Sequence, residues 1–363
     1  MNILYISVKK SWRGVTSWVV KTALALNKRG HHLYLLSHPK SKINKSLPLD
    51  IKLIEKRLGP SYNPVMIGYL VYFIITYKID LIVTNIDKEV AIGGIAARLT
   101  GIPNIRRVGR EDDFNNRFRS KWCHKLLVDS CIVPCQTLIR NARIRAPWLN
   151  PAQFKVIYNG RDISEFSPEI INLQRLRMGV NPGIKILGIN SHLHRKKHVE
   201  HLIQAFARIA PDFKNWVLVI VGTGPEERNL RNLAIESRLT ERIIFFGFVE
   251  NPMLICSTFD IAFSVSKIEG FPNTIVEYMA MGRPVIATDV GGVREIIRDG
   301  INGFVVPFGD QRALVDRMVR LMTHEEMRQQ FSREAIKTVR ESFTEKQMID
   351  DLEKYLKGIV KHR

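Results

Sequence analysis

The sequence predicts an α/β protein made of two doubly wound domains, each a parallel sheet with helices on both faces. Short apolar runs rich in β-branched residues alternate along the chain with longer segments of helical period. Runs that are apolar on both faces and separated by helices are typical of parallel sheets covered on both sides. The chain has 363 residues, more than the ~250 to 300 at which a single hydrophobic core stops growing, so two domains are expected.

Twelve apolar runs are the predicted strands, six in each half of the chain. They are NILYISV, HHLYLLS, DLIVTN, NIRRV, CIVPC and KVIYN, then KILGINS, WVLVIVG, RIIFFGFV, IAFSVS, PVIATDV and GFVVP. Turn residues and prolines in YNGRDISEFSPE predict a domain boundary there. We expect domains over residues 1–165 and 166–343, and a helix over residues 344–363 that packs back on the first domain. Folds of this class bind ligands at the carboxyl ends of their strands.

Positive charge is concentrated in the first half of the chain. The net charge is +20, and residues 1–160 hold 26 lysines and arginines against 9 aspartates and glutamates. This asymmetry predicts an anionic partner, such as a membrane surface, a phosphorylated acceptor or nucleic acid, whereas a general solubility role leaves the confinement unexplained. Basic and aromatic residues interleave in RFRSKWCHKLL, residues 117–127. That pattern suits anionic lipid headgroups, and equally a solvated helix with one buried face.

The amino-terminal run and the cysteines bear on the cellular setting. MNILYISVKK has no charged segment ahead of its apolar run, so we interpret it as a first strand rather than a signal peptide. The longest apolar run, residues 64–77, is shorter than the ~20 residues of a membrane span. It is predicted to be a helix of the first domain, with its tyrosines at a bilayer interface as the alternative. The four cysteines fit neither a disulfide framework nor a zinc site. We expect a cytoplasmic protein, soluble or peripheral at the inner face of the membrane.

The segment EGFPNTIVE, residues 269–277, carries a glutamate at each end. A strand is predicted before it, then a loop, and then a helix from about Asn273 to Gly282. The free amides and the positive dipole end of that helix form an anion site at the edge of the sheet. Glu269 and Glu277 can then reach hydroxyls on either side of a bound phosphate, which is the layout of a nucleotide sugar.

This segment and the GRPVIATDVGGVREIIRDGINGFVVPFGD that follows closely resemble the second domain of glycosyltransferase family 4. These are retaining nucleotide-sugar enzymes with the GT-B fold, in which two Rossmann-like domains face each other across a cleft. SWRGVTSWVVKTALALNKRGHHLYLLS is similar to the family's first glycine-rich loop and helix, VIYNGRDISEF to its VIPNGVD-F element, and KKHVEHLIQAF to its K-G-x3-LI-A-F helix. The resemblance covers nearly the whole chain and implies a retaining, metal-independent hexosyltransferase.

The resemblance also implies a role for each matching residue. Glu269 would contact the hydroxyls of the donor sugar, Glu277 would hold the ribose hydroxyls, and Lys197 would neutralise the diphosphate as a point charge. Gly14 would let the backbone approach the phosphates. The residues expected to lie close to the sugar and the diphosphate are Gly270, Phe271, Pro272, Asn273 and Thr274.

The chain departs from the family pattern on the phosphate side. Ser191 and His192 stand where the family has Gly-Arg, so Arg195 or a protonated His192 is expected to replace the second phosphate cation. The first loop reads Arg13-Gly14 in place of Gly-Gly.

A second departure concerns the acceptor side. The histidine that many family members carry after the fifth strand of the first domain falls near Gly109 here. The candidates for an acceptor-side role are Arg107, Arg110, Glu111, Asp112 and Asp113. We favour Glu111 or Asp112 for orienting an acceptor hydroxyl.

No metal or nicotinamide cofactor is expected. The histidines at 192, 194 and 198 have no accompanying cysteine or acid of a zinc site. VGTGPEE, from Val221, lacks the third glycine of a dinucleotide fingerprint, and we interpret it as a tight strand-to-helix turn close to the donor. Fixed cations and helix amides are expected to stabilise the leaving diphosphate instead.

These observations predict transfer of a sugar from a nucleoside diphosphate donor to a hydroxyl of an anionic, membrane-linked glycan, with no nucleic-acid partner. A lipopolysaccharide core or a polyprenyl-linked intermediate fits the basic first domain. Two alternatives stay open. One is a catalytically inactive protein that binds nucleotide sugars, because the family's arginine at position 192 and histidine near 109 are missing. The other is a basic nucleic-acid-binding protein, whose affinity would fall steeply with salt.

Overall fold

The structure is a computed structural model that describes residues 1–10, 14–45, 47, 51–114, 116–162 and 166–361, apart from the side chains of Lys45 and Glu111. The chain divides into two compact units. One unit is Met1–Asn159 together with Lys346–Arg363, and the other is Gly160–Glu345. The structure thus places the boundaries after Asn159 and Glu345, where the sequence predicts them after residues 165 and 343.

Thirteen strands form two sheets within the described residues. The first unit holds β1 (Asn2–Ser7), β2 (His32–Ser37), β3 (Lys52–Glu55), β4 (Leu81–Thr84), β5 (Asn104–Arg107), β6 (Ser130–Val133) and β7 (Phe154–Val156). The second holds β8 (Lys185–Asn190), β9 (Trp216–Val221), β10 (Ile243–Gly247), β11 (Ile261–Ser264), β12 (Val285–Thr288) and β13 (Phe304–Val306). The strand orders are β3-β2-β1-β4-β5-β6-β7 and β10-β9-β8-β11-β12-β13, and neighbouring strands are parallel.

Helices connect the strands, as parallel pairing requires. They are α1 (Gly14–Lys28), α2 (Pro64–Thr76), α3 (Asp87–Thr100), α4 (Phe118–Leu127), α5 (Gln136–Arg145), α6 (Pro168–Arg177), α7 (Val199–Ile209), α8 (Glu227–Glu236), α9 (Met253–Cys256), α10 (Asn273–Ala280), α11 (Val293–Ile296), α12 (Gln311–Thr323), α13 (Glu325–Ser342) and α14 (Glu345–Lys361). Short 3₁₀ turns at Glu111–Asp113 and Arg195–Lys197 contain residues predicted for the site.

Both faces of the first sheet are buried. Successive side chains of a strand point to opposite faces. In β1, Ile3 and Tyr5 pack with α1 and α14, whereas Leu4 and Ile6 pack with α2 and α3. Leu352 brings α14 into the first of these clusters and is fully buried. Burial of a leucine side chain contributes about 1.5–3 kcal/mol, so α14 is an integral layer of the first unit.

Local sequence sets the limits of α10. Pro272 is the N-cap residue, and the helix runs for eight residues from Asn273. Gly282, just past its end, has φ of +65°, and a Cβ at this position would lie 2.8 Å from Ser332 Oγ. Both constraints favour glycine. The helix therefore starts and stops where the sequence predicts.

The predicted fold class is confirmed, and each of the twelve predicted strands is present. The sequence prediction missed β3, a four-residue strand at the edge of the first sheet with only one fully buried residue. The predicted helix over residues 64–77 is α2 (Pro64–Thr76), whose N-cap Asn63 accepts hydrogen bonds from the N–H groups of Val65 and Met66. Among the described residues, no helix combines the length and the apolar content needed to cross a bilayer.

Candidate functional site

A cavity of about 280 Å³ lies at the carboxyl ends of β8 and β11 in the second unit. Doubly wound folds bind their ligands at this edge of the sheet. The polar residues that line the cavity are Asn190, Ser191, His192, Lys197, Ser264, Ser266, Glu269 and Thr274. The structure thus brings Lys197, Glu269, Thr274 and His192, all predicted from sequence, to one cavity.

Lys197 and Glu269 form an ion pair within this cavity. Nζ of Lys197 contacts Oε1 of Glu269, and Ser266 Oγ donates a hydrogen bond of 2.7 Å to the same oxygen. The two charged side chains are 31% and 15% exposed, so a ligand can reach both. The N–H of Lys267 donates to the carbonyl oxygen of Lys196 at 3.0 Å and ties the two loops together. A cation and a carboxylate are therefore held side by side before any ligand arrives.

The amino end of α10 adds an anion-binding element to the cavity. Thr274 lines the cavity from the first turn, and residues 270–273 connect Glu269 to that turn. N–H groups and the positive dipole end of a helix favour anions there. Tyr278 fixes the helix to β8, because its buried hydroxyl accepts a hydrogen bond of 2.6 Å from the N–H of Asn190. Burial raises the pKa of Tyr278 well above its ordinary value, so this anchor stays neutral.

Two glycines allow neighbouring turns to pack against the site. Gly291 has φ of +54°, and a Cβ there would lie 2.2 Å from the carbonyl oxygen of Glu269. Gly222 has φ of +117°, and a Cβ there would lie 2.0 Å from the carbonyl oxygen of Ser191. The VGTGPEE segment is thus the tight strand-to-helix turn that the sequence predicts. The turn around Gly291 packs against the backbone of the Glu269 loop.

Glu277 is held by Arg161. Arg161 Nε donates to Glu277 Oε1 at 2.8 Å, and the two side chains are 18% and 21% exposed. The N–H of Arg161 donates to the carbonyl oxygen of Phe343 at 2.8 Å, which fixes the arginine in turn. Glu277 is not among the described residues that line the 280 Å³ cavity. Sequence reasoning missed Arg161, although its signal is visible as a basic residue where the family pattern has valine.

Comparison with known proteins bears on the same region. Residues 175–338, which contain the cavity-lining residues, match the family model described as Glycosyl transferases group 1. The second unit carries a glycosyltransferase group 1 domain.

Relatives of this glycosyltransferase domain cover more of the chain. N-acetyl-alpha-D-glucosaminyl L-malate synthase of Bacillus anthracis is 28% identical over 197 residues, 54% of this chain and 49% of that protein. UDP-Gal:alpha-D-GlcNAc-diphosphoundecaprenol alpha-1,3-galactosyltransferase of Escherichia coli is 24% identical over 258 residues, 67% of this chain and 66% of that protein. The chain thus spans about half to two thirds of the length of these curated relatives.

A solved structure matches the fold over the whole chain. HepE of Anabaena, crystallised in complex with UDP, has a TM-score of 0.88 to this protein at 22% sequence identity, covering 99% of this chain and 100% of that chain. The two Rossmann-like parallel sheets are those of GT-B glycosyltransferase structures.

The two candidates for the second phosphate cation lie in different places. His192 lines the cavity of the glycosyltransferase domain, with Nδ1 2.7 Å from the carbonyl oxygen of Thr223. The Arg195 side chain is 85% exposed and pairs with Glu226 at 3.1 Å. Arg195 is not among the described residues that line the cavity. The structure therefore brings His192, and not Arg195, to this cavity.

One group of described residues has the spacing of metal ligands. The ligand atoms of His198, Glu200 and His201 lie within 4.8 Å of one another at the start of α7. The positive end of α7 and the basic turn Arg195–Lys197 both oppose a cation at this place. Metal-independent transfer stays a prediction.

The acceptor-side candidates lie in the first unit. The same unit contains Gly14, which is predicted to let the backbone approach the phosphates; it is the first residue of α1, and Arg13 lies outside the described residues. Asp112 is half exposed and pairs with Arg110, whereas the side chain of Glu111 lies outside the described part of the chain. The sequence prediction for Asp112 and Glu111 therefore stays open.

The hydrogen bonds of Asp113 and the burial of Arg107 could not be predicted from sequence. Asp113 Oδ2 accepts hydrogen bonds from the N–H groups of Gly109 and Arg110 at 3.3 and 3.1 Å, so Asp113 shapes the turn after β5. Arg107 is 4% exposed, and its Nε and Nη1 have no hydrogen-bond partner in the described part of the chain. Burial lowers the pKa of Arg107 to about 10, which leaves it charged at neutral pH. A Cβ at 109 would lie 2.7 Å from Arg107 Nη1, so a larger side chain there would displace the guanidinium.

Proposed function

We propose that the protein is a retaining glycosyltransferase that moves a sugar from a nucleoside diphosphate donor to a hydroxyl of an anionic, membrane-linked glycan. The observation that carries the proposal is the Lys197–Glu269 pair at the amino end of α10, inside the cavity of a glycosyltransferase group 1 domain. The UDP complex of HepE and the UDP-galactose named for the Escherichia coli relative support uridine diphosphate sugars as the first donors to test.

Lys197 exchanges partners when the donor binds. In the free protein its ammonium group is balanced by Glu269. A diphosphate between Lys197 and the amino end of α10 supplies stronger anionic oxygens, which frees Glu269 to accept hydrogen bonds from the sugar hydroxyls. Ser266 continues to orient the carboxylate through its 2.7 Å hydrogen bond. Glu277, fixed by Arg161, receives the ribose hydroxyls.

The transfer takes place on one face of the sugar. The bond between the anomeric carbon and the diphosphate oxygen breaks, and the acceptor oxygen bonds to the anomeric carbon on that same face. The acceptor proton passes to the departing phosphate oxygen. Lys197 and the helix amides stabilise the charge that develops on the leaving diphosphate, and such preorganised groups are usually the largest contribution to catalysis. Glu111 or Asp112 orients the acceptor hydroxyl.

The acceptor is anionic and attached to the cytoplasmic face of a membrane. The excess of lysine and arginine in the first half of the chain supports this part of the proposal, because a basic surface raises the local concentration of an anionic substrate. The name of the Escherichia coli relative places a diphosphoundecaprenol acceptor in that enzyme. A polyprenyl-linked or lipopolysaccharide glycan is the acceptor class that we propose here.

Donor binding and turnover test the proposal separately. A thermal-shift screen against UDP-, GDP- and ADP-sugars identifies the donor, since a ligand at 100 times its Kd stabilises a protein by about 2.7 kcal/mol. Donor hydrolysis is then measured for the wild type, for Glu269→Ala, and for Glu250→Ala, an exposed glutamate outside the cavity. We expect hydrolysis in the wild type and the control only. Binding without any turnover would identify the inactive sugar-nucleotide-binding alternative.

A further inference from the structure

α2 presents an apolar face to solvent. The helix contains no charged residue, and its inner side packs into the core through residues such as Leu70 and Phe73. On the outer side, Val65, Tyr72 and Ile75 are 80%, 66% and 66% exposed. A helix that is apolar all round is normally buried on all sides or covered by a partner. Packing in the core of the first unit accounts for the apolar residues on the inner side of α2 but not for those on its exposed outer side.

α4 presents a second exposed stripe of this kind. Phe118, Trp122 and Leu126 are spaced four residues apart and are 72%, 49% and 52% exposed. Interleaved with them, and with no acidic residue between, are Arg117, Arg119, Lys121 and Lys125. His124 is the one residue of α4 that is buried. α4 is thus a largely solvated helix with one buried side, at His124, and its exposed side carries large apolar residues.

The two helices are linked within the first unit by α3 and by Tyr62. α3 packs against both α2 and α4. Tyr62, just before α2, lies with its ring 5.8 Å from the guanidinium carbon of Arg119 and its hydroxyl 3.4 Å from Cys123 Sγ. We call the exposed side chains of Val65, Tyr72 and Ile75 on α2 and of Phe118, Trp122 and Leu126 on α4 the α2–α4 surface. Exposed apolar side chains grouped on neighbouring helices indicate an interaction site, whereas single ones do not.

We propose that the α2–α4 surface docks the protein on a bilayer that contains anionic lipids. The aromatic and aliphatic side chains enter the interfacial region, and the basic residues of α4 contact the lipid phosphates. The proposal deepens the proposed function, because it assigns the membrane contact to particular residues. Charge complementarity selects a bilayer over an apolar protein groove, since each large apolar residue of α4 has a lysine or arginine beside it.

Docking of this kind depends on two weak contributions to the binding free energy, apolar insertion and electrostatic attraction. Shallow insertion of a few apolar side chains gives reversible binding, and stable association needs a second, electrostatic contribution. Each lysine or arginine close to an anionic surface contributes about fivefold in affinity, which corresponds to about 1 kcal/mol. The α2–α4 surface supplies both terms within one unit of the protein.

Vesicle sedimentation of the full chain, without sugar nucleotide, tests the proposal. We expect binding to vesicles of phosphatidylglycerol and phosphatidylcholine and little binding to phosphatidylcholine alone. Tyr72→Glu and Trp122→Glu should each abolish most of the binding, and Lys121→Gln should weaken it about fivefold. Phe248→Glu is the matched control, because Phe248 is 76% exposed but lies in the second unit.

Tryptophan fluorescence supplies an independent readout of insertion. Brominated lipids should quench part of the wild-type emission, and Trp122→Phe should remove that quenched part. Equal binding to neutral vesicles, or unchanged binding by Tyr72→Glu and Trp122→Glu, would overturn the proposal. So would a dimer in solution that both variants dissociate, because a second copy would then cover the surface. Donor hydrolysis needs no vesicles, so failure of docking and failure of the proposed enzyme activity are measured apart.

Discussion

Replacing Gly291 with alanine should disable the site while leaving the second unit folded. The new Cβ would lie 2.2 Å from the carbonyl oxygen of Glu269, and real Cβ atoms essentially never approach a neighbour closer than 3.0 Å. The Glu269 loop must therefore retreat by about 1 Å, and a misplacement of that size costs about a hundredfold in rate. The positive φ of Gly291, +54°, adds backbone strain of about 1–2 kcal/mol for any residue with a side chain.

Gly300→Ala separates these two effects. Gly300 has φ of +75°, and nothing lies within 4 Å of a Cβ built there. Gly300→Ala therefore carries the strain without the collision. We expect urea unfolding to show a loss of about 1–2 kcal/mol in Gly300→Ala and a somewhat larger loss in Gly291→Ala. Donor hydrolysis should fall about a hundredfold in Gly291→Ala only. Equal turnover by the two variants would refute the idea that the turn at Gly291 sets the position of Glu269.

Three other predictions follow from charge contacts. Lys197→Ala should weaken UDP binding about tenfold to a hundredfold in calorimetry, because a cation facing the diphosphate is lost, whereas the exposed Lys196→Ala should bind as wild type. Arg161→Val should weaken UDP binding about fivefold, since Glu277 loses its 2.8 Å partner. The same substitution should weaken binding of 2′-deoxy-UDP less, and equal losses of affinity for both ligands would argue against a ribose contact. Hydrogen bonds from a lysine and an arginine lower the pKa of Glu353 from 4.5 to about 2. A carboxyl group whose pKa is lower in the folded state stabilises that state at pH values above its pKa in the unfolded state. This stabilisation is lost as the pH falls through the folded-state pKa. The stability gap between wild type and Glu353→Gln should therefore narrow from pH 5 downward in urea unfolding, and a constant gap would contradict this.

Periodicity and turn chemistry were sufficient for most of the fold. Short apolar runs flanked by helical segments predict twelve of the strands, and a proline and a glycine mark the ends of α10. Sequence analysis missed β3 because it is four residues long, lies at the sheet edge and has only two apolar residues between a lysine and a glutamate. Edge strands are half buried, so burial leaves little trace in their sequence. Its existence depends on pairing with β2 and not on its own composition.

The site could be predicted only as a set of residue types. Sequence showed a lysine before α7 and a glutamate before α10, but their ion pair joins residues 72 positions apart. The spacing of residues along the chain does not indicate such a contact. Arg161 was missed for the same reason, since its partner Glu277 lies 116 positions away. Sequence shows Gly291 only as one residue of a motif. The structure explains the glycine, because a Cβ at this position would lie 2.2 Å from the carbonyl oxygen of Glu269.

The departure at Gly109 and the buried Arg107 at the end of β5 are one structural feature. Gly109 stands where the resemblance expects a histidine, and Arg107 is buried with two guanidinium nitrogens unpaired within the described chain. A Cβ at 109 would lie 2.7 Å from Arg107 Nη1, so a histidine there would displace the buried guanidinium. Restoring the histidine alone would push against Arg107 rather than rebuild the family's arrangement. Under the proposed function, the acceptor site would therefore combine the buried cation of Arg107 with the acids on the turn that follows β5.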